Sequence, residues 1–322
     1  MVAHATSVFH PAAGAAAPPV TSVFFGGGTP SLIPATALVR ILEAIPRDIG
    51  AEVTVECNPD TVTDELLDTY LAGGVNRLSF GVQSMVPRVL EALGRSHTPG
   101  NVSRAVEGAR RAGFTSFNLD LIYGGAGETV ADWAVTVDEA LALEPPHVSA
   151  YALTVEAGTP LAADRSRHPD DDDQADKYLL ATERFAAAGL EWYEISNWAR
   201  PGHRCRHNLL YWAQGDYLAF GCAAHGHRAS RRYWNLRTPE RYIEAVARGE
   251  APEAGHEELA SDDRRVEGLQ LALRTEQGVP VDALTFDVTD DGWSELVAVR
   301  DGRARLTVAG RLLANEVALR LA

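Results

Sequence analysis

The sequence predicts an α/β protein whose main domain is a partial (β/α) barrel. Between residues 20 and 200, stretches of β-type residues alternate with amphipathic helical patterns. This alternation is typical of βαβ units around a parallel sheet. Several strands carry a polar residue at or near the C-terminal end (Glu56, Gln83, Asp120 and Thr154), and the first strand ends in Gly26–Gly28. That distribution favours a barrel over a doubly wound sheet, whose polar groups concentrate at a single switch point.

The elements of this barrel are bounded by capping and breaker residues. Thr63 is a predicted N-cap, and Gly74 and Gly113 are stop signals for two helices. Periodicity and the Pro, Gly and Asp breakers give the other bounds. Strands are expected at residues 22–25, 52–58, 77–84, 116–124, 147–154 and 190–199, and helices at 34–45, 63–74, 87–93, 101–112, 129–143 and 174–188.

Three further segments flank the barrel, which is expected at residues 20–200. Residues 1–19 are rich in alanine and proline without a period, which predicts a disordered tail. Residues 201–237 mix aromatic, histidine and glycine residues and form a connecting segment. In residues 238–322 the pattern predicts two helices separated by an acidic linker, followed by a hairpin over Asp301-Gly302. This order of elements is typical of a small α+β winged-helix-like module.

Composition and charge restrict the kind of partner. The 322 residues carry a formal net charge of −15 and no basic stripe, so no nucleic-acid partner is expected. Cys57, Cys205 and Cys222 are far apart and odd in number, which favours a reducing compartment over a disulfide framework. The sequence has no apolar run of about 18 residues and no signal-peptide pattern at its start. A cytoplasmic protein is therefore expected.

Three consecutive glycines, Gly26–Gly28, stand between the first strand and the first helix of the barrel. Residues without a Cβ allow backbone N–H groups to come close to a ligand, and a following helix N-terminus favours an anionic group. The stretch Ser22–Ser31 is therefore a candidate binding loop.

Six motifs in a fixed order resemble those of a known family. GGGTPS, VECNP, RLSFGVQS, LGRSH and DLIYG are similar to motifs of the radical S-adenosylmethionine (SAM) proteins in the coproporphyrinogen III dehydrogenase group. HNLLYW resembles the HNxxYW signature of one branch, the HemW-type heme chaperones. GLQLALRTEQGV and RLTVAGRLLANEV resemble the C-terminal module of that branch. The resemblance covers residues 20–322 and implies a radical-SAM-type barrel, here without its first strand.

The resemblance implies a pocket for SAM. Carried over residue by residue, Gly27, Gly28 and Thr29 would hold the amino group of SAM. Carboxylates suit an ammonium or ribose hydroxyls, and a guanidinium suits a carboxylate. The further positions that match SAM-contacting residues are Glu56, Gln83, Arg95, Asp120 and Thr154. The alternative is that the two carboxylates only satisfy loop backbone or pair with Arg77.

The resemblance also implies heme as a ligand and heme-accepting apo-proteins, membrane-bound ones included, as partners. Heme iron is usually held by His, Cys or Met within an apolar wall. His207 lies in the HNLLYW signature and is the candidate iron ligand. The alternative is that His207 and Asn208 bond to the barrel mouth while Tyr211 and Trp212 are core residues.

The cysteines depart from the pattern of this family. A radical SAM protein needs a CxxxCxxC loop after its first barrel strand, because three thiolates hold a 4Fe–4S cluster. The given sequence contains no such motif, so we expect either a misplaced start or a real loss. If the segment were a strand, His203, Cys205 and His207 would face one way, but a zinc site there lacks an evident fourth ligand.

The expected function is therefore that of a heme-binding protein which delivers heme to acceptors and retains a SAM-type pocket. Without cluster cysteines in the sequence, reductive SAM cleavage is not expected. Two alternatives remain open. One is an oxygen-independent coproporphyrinogen III dehydrogenase of porphyrin biosynthesis, and the other is a truncated, inactive homologue.

Overall fold

A computed structural model describes residues 1–10, 17–288, 290 and 292–321. The chain divides into two compact units. The first unit comprises Met1–Val23, Arg40–Ala51 and Cys205–Ala322, and the second comprises Phe24–Val39 and Glu52–Arg204.

A seven-stranded sheet confirms the predicted α/β class and the partial barrel. Its strands are β1 (Val20–Phe25), β2 (Arg47–Cys57), β3 (Arg77–Gln83), β4 (Phe117–Tyr123), β5 (His147–Ala152), β6 (Glu191–Glu194) and β7 (Asn197–Ala199). They follow the order β1-β2-β3-β4-β5-β7-β6, so β1 and β6 are the two edges. Strands β2 to β5 are parallel neighbours, whereas β7 is antiparallel to both β5 and β6.

Helices fill the connections between these strands. They are α2 (Ala35–Glu43), α3 (Asp64–Ala72), α4 (Pro87–Ala92), α5 (Pro99–Ala112), α6 (Val130–Ala142), α7 (Pro160–Ala163) and α8 (Asp171–Ala187), and α1 (Val2–Phe9) precedes the sheet. Thr63 and Thr129 cap α3 and α6 by accepting hydrogen bonds from backbone N–H groups of the first turn. Among the helices described here, none has the length and apolar character that a membrane crossing requires.

The alternation of side chains along the central strands creates two different faces. One face carries the buried apolar residues Leu78 and Phe80 of β3, with Leu119 and Leu121 of β4. Because successive side chains of a strand point to opposite faces, the intervening residues share the other face. These intervening residues are mostly polar: Arg77, Ser79, Asn118, Asp120, His147 and Ser149. The core therefore lies on one side of the sheet, and a polar layer lies on the other.

The first unit contains two small antiparallel sheets. One is formed by β8 (His225–Arg228), β9 (Arg231–Asn235) and β10 (Glu253–Glu258), and the other by β11 (Val279–Pro280), β12 (Val297–Arg300) and β13 (Arg303–Leu306). Asp301 and Gly302 join β12 to β13 with φ angles of 52° and 70°, as a tight hairpin turn requires. The helices of this part of the first unit are α9 (Arg206–Trp212), α10 (Pro239–Ala247), α11 (Ser261–Leu273), α12 (Val308–Leu312) and α13 (Ala314–Ala318).

The N-terminal segment differs from the expected disordered tail. Val2–Phe9 is helical, and Ala5 and Phe9 are buried. The ring of Phe9 lies 6.0 Å from that of Phe220, and His4 Nδ1 lies 2.8 Å from the hydroxyl oxygen of Tyr242. These tertiary contacts supply the stabilisation that the alanine-rich composition did not indicate. Residues 11–16 of the expected tail lie outside the described residues.

Two local expectations were wrong, and one conditional arrangement does not occur. The single strand expected at 190–199 is a pair of antiparallel strands, β6 and β7, because the chain reverses at Ile195-Ser196. The acidic linker contains β10, which pairs with β9. The alternation of His203, Cys205 and His207 does not mark a strand, since Cys205 precedes α9 and His207 lies in that helix.

Helix α5 offers a test of how its end is stabilised. Gly113 follows its last residue with a φ of 104°, a left-handed conformation that costs other residues free energy. We therefore expect Gly113→Ala to lower the free energy of unfolding by about 1 kcal/mol, measured by urea denaturation.

Gly100, in the first turn of the same helix, is the matched control. A Cβ there would have no closer neighbour than the Thr98 hydroxyl at 3.7 Å. Gly100→Ala should leave stability unchanged or raise it, since alanine is the better helix former. Equal effects of the two substitutions would contradict this account of the helix end.

Candidate functional site

The glycine loop after β1 is open and is held by a carboxylate from the next strand. Gly27 and Gly28 have φ angles of 82° and 65°, so both positions favour glycine. The Gly27 N–H donates a hydrogen bond of 3.0 Å to Glu56 Oε2. A Cβ at either glycine would meet no heavy atom of the described chain within 4 Å, which leaves the loop accessible to a ligand.

A second set of hydrogen bonds joins the loops that follow β1 and β2. Ser31 Oγ lies 2.6 Å from the hydroxyl oxygen of Thr61. Ser31 Oγ also accepts a hydrogen bond of 3.1 Å from the Asn58 N–H. Ser31 is buried, so these bonds fix the two loops next to each other.

The carboxyl group of Glu56 has a shifted pKa. Burial raises the pKa of its carboxyl above the usual range, the Gly27 N–H opposes that rise, and the charge of Asp120 adds to it. Two carboxyl groups that influence each other in this way are typical of functional sites.

Asp120 lies in the middle of β4, whereas the sequence pattern placed it at or near the C-terminal end of that strand. Its Oδ1 accepts hydrogen bonds from Ser149 Oγ at 2.6 Å and from Asn118 Nδ2 at 2.7 Å. Its Oδ2 accepts one from Ser79 Oγ at 2.6 Å. Burial raises the pKa of Asp120, although these donors and the charge of Arg77 oppose the rise.

Arg77 does not pair with either carboxylate in the described hydrogen bonds. Its Nη1 donates to Ser116 Oγ at 2.9 Å and to the His203 carbonyl oxygen at 2.8 Å. Arg77 is buried, so it acts on Asp120 by its charge alone. Among the described hydrogen bonds, no direct contact therefore supports the alternative in which Glu56 or Asp120 forms an ion pair with Arg77.

The remaining predicted residues differ in how closely they approach this centre. Gln83 ends β3 with a φ of 64°, and its Nε2 lies 3.0 Å from the point where Gly81 would carry a Cβ. Thr29 is half-buried just before a short 3₁₀ turn. Arg95 and Thr154 are exposed, and within the described part of the chain no hydrogen bond joins their side chains to Glu56 or Asp120.

Sequence reasoning missed the residues that surround Asp120. They are Ser79, Asn118, Ser149, His147 and Tyr193. The signal that could have found them is the two-residue period of polar side chains in RLSFG, FNLDL and HVSAY. Side chains two residues apart lie on one face of a sheet, so the polar residues of neighbouring strands come together.

The first unit holds a second group of functional candidates around His207. In α9, the Nδ1 of His207 lies 2.9 Å from Ser22 Oγ, and its Nε2 lies 2.9 Å from the hydroxyl oxygen of Tyr211. The Tyr211 ring packs edge-on against His207 at 4.9 Å and against Tyr217 at 4.6 Å. The Tyr217 ring in turn lies 5.9 Å from that of His227. Two histidines and two tyrosines thus form a continuous row.

Tyr211 is not a core residue, in contrast to the alternative interpretation of the HNLLYW signature. Its side chain is 39% exposed. Desolvation, with Tyr217 and Cys205 nearby, raises the pKa of Tyr211 to about 12, so the phenol is protonated at neutral pH.

The three cysteines do not fit the thiolate set of a 4Fe–4S cluster. Cys57 is buried in the second unit, where its thiol donates to the Val55 carbonyl oxygen at 3.7 Å. Burial, and to a lesser degree Glu56, raises the pKa of that thiol, which keeps it protonated. Cys205 and Cys222 belong to the first unit. The described residues contain no group of three or more His, Cys, Asp or Glu that could hold a metal ion, zinc included.

The sequence of this chain matches a known family and several curated relatives. Residues 12–140 match the Radical SAM superfamily. The heme chaperone HemW of Mycobacterium tuberculosis (strain ATCC 25618 / H37Rv) is 42% identical over 316 residues, which cover 94% of this chain and 80% of that protein. HemW of Bacillus subtilis (strain 168) is 33% identical over 321 residues, 93% of this chain and 85% of the relative.

A solved structure shares the fold over nearly the whole chain. Coproporphyrinogen III oxidase (HemN) from Escherichia coli, described as a radical SAM enzyme, superposes with a TM-score of 0.79 at 23% sequence identity, covering 93% of this chain and 77% of that chain. At this identity the likeness establishes the fold, and the partial barrel is accordingly of the radical SAM type.

The raised pKa of Glu56 generates a prediction about stability. Below the usual glutamate pKa both the folded and the unfolded chain carry the proton, so Glu56→Gln should change stability little there. As the pH rises above that value, the unfolded chain releases the proton more readily than the folded one. Glu56→Gln should therefore raise the free energy of unfolding increasingly from about pH 4 upward, until the pH passes the raised pKa of Glu56 in the folded chain, measured by denaturant titration.

Glu91→Gln serves as the control because Glu91 is exposed in α4. Its stability difference from the unaltered protein should stay small across the same pH range. A Glu56→Gln effect that does not change with pH would be incompatible with a carboxyl whose pKa is raised.

Proposed function

This chain belongs to the HemW family of radical SAM proteins, and on that premise we propose that it binds heme and passes it to acceptor proteins. Relatives 42% and 33% identical over most of the chain carry the name heme chaperone. The observation that supports heme binding in this chain is the row of His207, Tyr211, Tyr217 and His227, which combines iron-ligand chemistry with flat aromatic surfaces.

His207 is our proposed iron ligand. With the ring proton on Nδ1, His207 donates to Ser22 Oγ, and its Nε2 lone pair accepts from the Tyr211 hydroxyl. A neutral imidazole binds iron through such a lone pair, so His207 would exchange the Tyr211 hydrogen bond for the metal. The Ser22 bond would meanwhile keep the ring orientation and the tautomer fixed, as outer partners of metal-bound histidines do.

We further propose that the polar site of the second unit is a SAM pocket. Gly27, Gly28 and Thr29 would bind the amino end of SAM. Glu56 and Asp120 offer carboxylate acceptors for an ammonium or for ribose hydroxyls. The open glycine loop and its hydrogen bond to Glu56 support this assignment. The further residues of the proposed pocket are Gln83, Arg95 and Thr154.

We assign no radical step to the residues described here. SAM cleavage by this superfamily uses a cluster held by three thiolates, and Cys57, Cys205 and Cys222 do not form such a set. The likeness to coproporphyrinogen III oxidase is a likeness of fold at 23% identity, so no observation favours that activity here. A cytoplasmic location is part of the proposal and is supported by the three free cysteines.

Hemin titration of the purified chain tests the proposed iron ligand. The unaltered protein should shift the Soret band of hemin at one equivalent, and His207→Ala should lose that shift because the iron loses its nitrogen ligand. Tyr211→Phe should bind hemin about three- to tenfold more tightly, since the Nε2 lone pair no longer accepts a hydrogen bond from the phenol.

His256→Ala provides the matched control, because His256 is an exposed histidine of the same unit that contacts Glu253. It should titrate like the unaltered protein. An unchanged Soret shift in His207→Ala would reject His207 as the ligand. Absence of a Soret shift in the unaltered chain and in all variants would reject heme binding.

A further inference from the structure

A continuous chain of buried hydrogen bonds leads to Asp120 across four strands. We call it the donor relay, and it consists of Tyr193, His147, Asn118, Ser79 and Ser149. The Tyr193 hydroxyl oxygen lies 2.7 Å from His147 Nε2, and His147 Nδ1 lies 2.7 Å from Asn118 Oδ1. Asn118 Nδ2 reaches Ser79 Oγ at 2.8 Å and Ser149 Oγ at 2.7 Å, besides Asp120 itself.

The Asp120 carboxylate at the end of the relay determines which group of each hydrogen bond is the donor. An ionised carboxylate only accepts hydrogen bonds, so both serine hydroxyls donate to Asp120. The two N–H bonds of Asn118 Nδ2 are shared among three acceptors, the two hydroxyl oxygens and Asp120 Oδ1, and the amide oxygen accepts from His147 Nδ1. His147 therefore carries its proton on Nδ1, and its Nε2 accepts from Tyr193.

Burial and charge agree with this direction. All five relay residues are buried. Burial, with the charges of Arg77 and His203, keeps the pKa of His147 well below its usual value, so the ring is the neutral form that the relay requires. A buried polar network in which every member is satisfied orders its residues strongly.

The relay leaves one acceptor position of Asp120 unused. A carboxylate offers about four acceptor sites, and within the described residues Oδ1 takes two donors and Oδ2 takes one. The remaining site of Oδ2 is suited to a hydroxyl or an ammonium of a ligand.

We propose that the donor relay is the positioning device of the SAM pocket, which holds Asp120 as an oriented, ionised acceptor for a hydroxyl or ammonium of SAM. This inference rests on the proposed function. Ser79, Ser149, Asn118, His147 and Tyr193 are positioning residues, because they act on the ligand through Asp120.

The other charges around Asp120 set the background for a test by pH. Glu56 faces it from β2 and Arg77 from β3, while His147 and Tyr151 lie on β5. Glu194 on β6 acts on Tyr151. Burial raises the pKa of Asp120, whereas the hydrogen bonds from Ser149, Ser79 and Asn118 lower it. Removing one donor should therefore raise that pKa further, so that a larger fraction of Asp120 is protonated at a given pH within its titration range.

Isothermal titration calorimetry with SAM, from about pH 6 to about pH 8.5, tests the relay in the full chain. Ser149→Ala should weaken SAM binding about tenfold near neutral pH, because a hydrogen bond to a charged group is lost. The affinity should recover as the pH rises, because Asp120 then ionises without its donor. Ser79→Ala should behave in the same way, and it replaces Ser149→Ala if that variant fails to fold.

Ser84→Ala is the matched control, since Ser84 is a fully buried serine whose hydroxyl bonds to Thr136 and not to Asp120. It should follow the unaltered protein at every pH. A Ser149→Ala profile parallel to that of the unaltered protein, whether equal or uniformly weaker, would overturn the relay and leave the pocket standing. Failure of the unaltered chain to bind SAM would overturn the pocket itself, and the relay with it.

Discussion

The two-residue period of β3, β4 and β5 is the constraint on which the second unit depends. Parallel pairing aligns Ser79 with Asn118, and Asp120 with Ser149, so polar residues of three strands fall on one face. The same pairing places Leu78, Leu119 and Val148 on the opposite face, where they are buried. One pattern thus produces both the apolar core and the polar site, and a shift of register by one residue would exchange them.

The two units carry different chemistry. In the second unit, buried carboxyls and hydroxyls surround an open glycine loop, an arrangement suited to a polar ligand with hydroxyl and ammonium groups. In the first unit, His207 and Tyr211 begin a row of aromatic rings, which suits a flat apolar ligand with a metal at its centre.

Much of the fold was predictable because its signals are local. The strands of the barrel, the glycine end of α5 and the turn at Asp301-Gly302 follow from periodicity, φ preference and capping. The helix α1 and the division of β6 from β7 depend on contacts distant in sequence, which composition does not contain. In the site, the glycine loop and Glu56 were evident from motifs, whereas the donor relay needed the register between strands.

Native mass spectrometry of the full chain, mixed with hemin and SAM, tests the central claim most directly. We expect this chain to bind both molecules through the residues described, without a cluster built from its three cysteines. We predict a folded species that carries one hemin and one SAM together and no iron–sulfur mass. A chain that binds neither molecule, or that binds SAM only after a 4Fe–4S cluster has been incorporated, would contradict it.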